Sequence, residues 1–186
     1  MLLREMREAD LAPFADLIAS NECLCSLGRA HGNEEWSRIG SAYVANVLRT
    51  ELSSWDACSS KYQSAAGSKL WVLEGSPGRL AGSIGAIPSP EDSTVELVRM
   101  YVDSSVRRKG HGRRLVEVLL GYALSIKATR VKLTTPTVNA PGISFYESLG
   151  FCIVREFTVD SNGSPLDIAE LELHMPPLAS TTDSNA

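Results

Sequence analysis

Residues 95–112 read VELVRMYVDSSVRRKGHG, an apolar strand-like run that ends in a basic turn carrying two glycines. Leu115, Val118, Leu119, Tyr122 and Ile126 then recur at helical spacing, so a helix over 112–126 follows the turn directly. Glycines spaced G-x-G at a strand-to-helix turn let the backbone approach a ligand and point several amide N–H groups one way. The helix start adds unpaired N–H groups and the positive end of its dipole. Arg107, Arg108, Lys109, Arg113 and Arg114 surround this cradle with cations. The expected ligand is a phosphate, and better a pyrophosphate. A basic nucleic-acid patch is the competing reading. The net charge of −4 and the lack of a second basic run count against it. A nucleotide P-loop is excluded, because no Gly-Lys-Ser/Thr occurs in the chain.

Outward from this stretch the order of elements is mixed. A strand near 2–7 leads to a helix begun by Asp10, with Leu11, Phe14, Leu17 and Ile18 on one face. Residues 20–34 read as a loop, 36–52 as a second helix and 53–68 as a serine-rich connection. Strands at 70–73 and 80–87 flank the hairpin signal Gly75-Ser76-Pro77-Gly78, and Pro88-Ser89-Pro90 ends the second. After the glycine turn and its helix come a strand at 131–134, a helix at 141–149 and strands at 151–159 and 169–174.

The 186 residues suit one soluble domain spanning 1–176, with a small, polar, disordered tail over 177–186. No apolar leader or membrane-length run occurs, and the cysteines lack metal or C-x-x-C spacing. A cytoplasmic protein without metal, membrane or nucleic-acid partner is the expectation, as a monomer or homodimer.

Three features now stand in order: Glu96 in the strand, Arg107-x-x-Gly110-x-Gly112, and residues 139–151, NAPGISFYESLGF. The combination closely resembles the GNAT superfamily of acetyl-CoA-dependent N-acetyltransferases. Its acyl-CoA motif is Q/R-x-x-G-x-G/A, and its later motif is an Asn followed by a helix ending in Tyr and L-G-F. Here these are Asn139, Tyr146 and Leu149-Gly150-Phe151. The residues around both motifs look most like the camello-like subgroup. The resemblance implies a mixed α/β (α+β) single domain, its mostly antiparallel sheet of about 6–7 strands flanked by about 4 helices.

It also implies an enzyme that moves the acetyl group of acetyl-CoA to a primary amine, small or peptidyl. A non-catalytic acyl-CoA-binding sensor or structural module on the same fold is the alternative. The cofactor would lie along Met100, Tyr101 and Val102 and over Arg107, Arg108, Lys109, Gly110, His111, Gly112 and Arg113, with Asn139 and Tyr146 beside it. The Met100 N–H would polarise the thioester carbonyl.

Glu96 interrupts an apolar strand, and regular alternation puts it on one face with Val98, Met100 and Val102. A carboxylate in that setting suits a general base, and its place in the resemblance is that of a catalytic Glu; a structural pairing with Arg99 is the other reading. Tyr146 is implied as the acid for the departing thiolate, against a core aromatic beside Phe145. Asn139 reads as a helix cap on its own account. Gly142, where the family often has Ala, is a mild departure. For the acceptor, the resemblance implies a pocket walled by residues of about 22–62 and 88–93; there Trp36, Tyr43, Trp55 and the acidic Glu34, Glu35, Glu51 and Asp56 are candidates, with a core or solvated face equally open.

Overall fold

The computed structural model describes residues 1–64, 67–89, 92–161 and 163–176. The tail expected over 177–186 and Pro90 of the strand-ending Pro88-Ser89-Pro90 lie outside the described residues. Seven strands form one sheet in the order β1-β2-β3-β4-β5-β7-β6. They are β1 (Leu3–Glu5), β2 (Lys69–Glu74), β3 (Leu80–Ser89), β4 (Thr94–Val102), β5 (Arg130–Pro136), β6 (Cys152–Asp160) and β7 (Pro165–His174). All neighbours are antiparallel except β4 and β5.

Six α-helices are described: α1 (Leu11–Asn21), α2 (Cys23–His31), α3 (Glu34–Thr50), α4 (Trp55–Ser59), α5 (His111–Ser125) and α6 (Ala140–Glu147). No described helix is long and apolar enough to cross a membrane. The sheet sorts its residues onto two faces. Trp71, Leu73, Ile84, Val95 and Leu97 pack with Leu115 and Leu119 of α5 and Tyr146 of α6. Leu70, Val72 and Leu80 pack on the other face with Phe14 and Ile18 of α1 and Val44 and Val47 of α3.

Two expected loops are helical. Residues 20–34 contain α2, and 53–68 contain α4 followed by a π-helical turn, Ser60–Ser64. The glycine that suggests a loop in the first of these serves packing. A Cβ at Gly28 would overlap Ser37, so α2 and α3 touch through it. On α5 the buried face is Leu115, Val116, Leu119 and Ala123, whereas Ile126 is exposed. β3 continues through Pro88, which sits opposite Val95.

Asp10 does not cap α1 with its side chain. It turns back, accepting from Arg4 at 2.6 and 2.9 Å and from the Arg7 N–H at 2.8 Å. The Arg4 bond is the main cause holding this buried carboxyl below the usual range, against the upward push of burial. A folded-state value below the unfolded one stabilises above the unfolded value of about 3.9 and is lost as pH falls through the folded one. Asp10→Asn should therefore lose about 2 kcal/mol at pH 7. Its deficit relative to wild type should shrink as the pH drops below about 4, read from urea melts across pH.

Candidate active site

The site is made by a departure from regular strand pairing. β4 and β5 pair at Thr94–Arg130, Val95–Val131 and Glu96–Lys132, and no pairing between them is recorded further along among the described residues. Both strands continue, to Val102 and Pro136, so they part like the arms of a V. On its other edge β4 carries a bulge. Ser83 faces Tyr101 and Gly85 faces Val98, which sets Arg99 and Met100 together opposite Ile84. Arg99 takes a left-handed φ of 51°, rare for a residue with a side chain.

The bulge corrects the expected alternation. Val95, Leu97, Met100 and Val102 face α5 and α6, while Val98 and Tyr101 face α1 and α3. Glu96, between Val95 and Leu97, belongs to the second face with Val98, not with Met100 and Val102. The pairing of Glu96 with Arg99 is not formed either. The Arg99 guanidinium donates to Glu51 and to the hydroxyls of Tyr43 and Tyr62. Lys61 donates to the same carboxylate at 2.6 Å. Burial pushes the Glu51 carboxyl up, but the hydrogen bonds from Arg99, Lys61 and Tyr62 outweigh it and hold the group below its usual range.

The glycine turn follows the open arm of β4. Gly110, at φ 81°, stands at the N-cap of α5, a backbone that a side chain would strain. Gly112 is small for a different reason. A Cβ there would come within 3.1 Å of the Phe145 ring and 3.5 Å of Met100 Cε, so the first turn of α5 closes against α6 and the bulge. Arg107, Arg108, Lys109 and Arg113 are exposed around this turn, with His111 half-buried at the start of α5. Arg107 donates to the Val102 carbonyl at 3.0 Å and to Asn21 Oδ1 at 3.1 Å.

Tyr146 lies on the same face as Met100 and Val102, 8% exposed, between the rings of Phe145 and Phe151. Among the described residues its hydroxyl has no hydrogen-bond partner, and burial raises the phenol well above its ordinary value. It therefore holds its proton at neutral pH. Asn139 is the cap that its sequence suggests: Oδ1 accepts from the Gly142 N–H at 3.3 Å and Nδ2 donates to Thr135 at 3.0 Å. The same amide occupies the space of a Cβ at Gly142, so an Ala there would require the Asn139 side chain to shift.

Residues of both faces border the V. The glycine turn, Met100, Val102 and Tyr146 lie on one side, and Glu96, Arg99 and Tyr101 on the other. Of the acceptor candidates, Tyr43 and Glu51 reach this second side. Trp55 is half-buried against the core, Trp36 rests edge-on near His31, and Glu34, Glu35 and Asp56 are exposed. Sequence reasoning reached the stretch that holds Tyr62 but did not single that residue out, and it named Arg99 only as a partner for Glu96. The one available signal was an arginine inside the apolar run 95–102.

Comparison with known proteins agrees with this geometry. Residues 35–151 match the model of the Acetyltransferase (GNAT) family. N-acetyltransferase 8 of Homo sapiens is 32% identical over 113 residues, 59% of this chain and 48% of that protein. N-acetylaspartate synthetase of Rattus norvegicus is 36% identical over 110 residues, again 59% of this chain but 36% of the relative. The matched part of the chain thus spans half or less of the length of either. The solved ribosomal-protein-S18-alanine N-acetyltransferase of Escherichia coli shares the fold, with a TM-score of 0.65 at 15% identity over 97% of each chain.

Proposed function

The chain belongs to the acetyltransferase (GNAT) family, and on that premise we propose that it transfers the acetyl group of acetyl-CoA to the primary amine of a small acceptor that also carries a carboxylate. The observation that carries the reading is the parting of β4 from β5 beside a glycine turn at the N-terminus of α5. Backbone groups freed by the parting suit the pantetheine amides, and the turn with Arg107, Arg108, Lys109 and Arg113 suits the pyrophosphate. His111 contributes through its N–H, and Asn139 borders the pantetheine arm.

In this mechanism the cofactor lies along Met100, Tyr101 and Val102 on the α5/α6 face, and the Met100 N–H polarises the thioester carbonyl. The acceptor enters from the α1/α3 face. Glu96 takes the proton of the amine, nitrogen attacks the thioester carbon, and the departing thiolate receives the Tyr146 proton. Arg99 and Lys61 outnumber Glu51 in the cluster at the bulge, leaving one positive charge to be met by an acceptor carboxylate. The name of the N-acetylaspartate synthetase relative is in keeping with such an acceptor.

The test is CoA thiol release from acetyl-CoA against the common amino acids, L-aspartate first, beside alkyl amines without a carboxylate. Faster turnover of an amino acid than of its decarboxylated amine is expected. Binding of acetyl-CoA with no turnover on any amine would favour the non-catalytic module instead.

A further inference from the structure

Asn21 is the last residue of α1 and is buried, yet its side-chain amide reaches out of its own helix. Nδ2 donates to the Leu17 carbonyl at 3.0 Å, one turn back. Oδ1 accepts from the Ser104 N–H at 3.0 Å and from Arg107 Nη2 at 3.1 Å. Both donors belong to the segment that joins β4 to the glycine turn. An apolar residue would serve burial alone at the end of this helix. A buried amide is costly unless its bonds are made, and this one makes them to the approach of the glycine turn.

The backbone of that segment is held from a second direction as well. The Asp103 N–H donates to the Ala81 carbonyl at 2.9 Å, and the Asp103 carboxylate accepts from the Ser105 N–H at 2.9 Å and from Arg79 at 3.3 Å. What Asn21 adds is therefore the placing of a side chain. Arg107 donates from Nε to the Val102 carbonyl in β4 and from Nη2 to Asn21 in α1, so two separate elements fix its guanidinium. A guanidinium has five N–H donors, which leaves three on a residue that is exposed beside the turn. Among the described residues the side chains of Arg108, Lys109 and Arg113 have no hydrogen bond or ion pair. Those three are charges on free stems. Arg107 alone among these four has already given up the rotamer freedom that gripping an anion would otherwise cost it.

We propose that Asn21 is a positioning residue for the cofactor, holding the Arg107 guanidinium ready to grip the pyrophosphate of acetyl-CoA. This rests on the acetyltransferase reading and adds to it a residue that never touches the cofactor. The glycine turn supplies backbone N–H groups and the free cations supply general attraction. Arg107, set by Asn21, supplies a directed fork of hydrogen bonds.

Asn21→Ala should raise the Kd for acetyl-CoA about tenfold by calorimetry, the scale of one hydrogen bond to a charged group, with little change in kcat. S-acetylpantetheine, the same thioester without the pyrophosphate, gives a readout that general damage to the fold would move. Its kcat/KM should hold in the variant. Arg107→Lys keeps the charge but loses the fork that reaches Val102 and Asn21 together, so it should weaken acetyl-CoA as much as Asn21→Ala does. In the double variant the two losses should not add, because each removes the same grip. An unchanged acetyl-CoA Kd in folded Asn21→Ala, equal losses with both thioesters, or additive losses in the double variant overturns the proposal. An unchanged Kd in Arg107→Lys overturns it even where Asn21→Ala does not fold, since charge alone would then suffice. Failure of the wild type to bind acetyl-CoA is a different result, which sinks the acetyltransferase reading itself.

Discussion

Replacing Tyr146 by phenylalanine is expected to lower kcat by about a hundredfold or more, the usual scale for losing a positioned proton donor. That equals about 2.7 kcal/mol of transition-state stabilisation. The KM for acetyl-CoA should move little, because the hydroxyl acts only as the thiolate departs. Stability supplies the control. Phe145 and Phe151 hold the ring on both edges, and the hydroxyl has no partner within the described chain. A purely structural tyrosine in that place gains nothing from its oxygen, so Tyr146→Phe should melt at or slightly above the wild-type temperature. Burial raises the phenol, so the wild-type rate should show no alkaline fall from this group below about pH 10. Normal turnover in the variant would remove Tyr146 from the chemistry.

The cofactor side of this site was legible because it is local. A strand, two glycines and a helix follow one another within residues 95–126, and each signal reports on its own neighbours. The same holds for Asn139 capping α6. The acceptor side was not legible, because one bulged residue changes the meaning of every position around it. Regular alternation carries Met100 and Val102 to the face of Glu96, and the left-handed turn at Arg99 sends them to the opposite one. Nothing in the run 95–102 marks that turn, since Arg99 is not a glycine. Partners for Arg99 come from Tyr43, Glu51 and Tyr62, at sequence separations that periodicity does not see. Helix α2 was hidden for a related reason. The polar, glycine-bearing segment 20–34 reads as a loop, yet Gly28 marks a helix contact with α3.

Glu51→Gln should be the most destabilising single change at the site. It leaves the Arg99 guanidinium, whose side chain is 11% exposed, without a carboxylate. Breaking a largely buried pair from one side costs about 3–5 kcal/mol, a large share of the roughly 5–15 kcal/mol that holds a domain together. A Tm lower by about 10 °C is the expected reading for a chain of this size. The double variant Glu51→Gln, Arg99→Met removes both charges and should recover most of that loss, because a buried pair replaced by apolar groups is often close to neutral. The double variant also separates structure from recognition. If Arg99 serves only to neutralise Glu51, recovered stability brings recovered activity. If it receives the acceptor carboxylate, the double variant should fold well and still show a KM for amino acids raised tenfold or more, with amines lacking a carboxylate unaffected. Recovery of both would leave the positive charge at the bulge as a packing device, and the acceptor would then need no carboxylate.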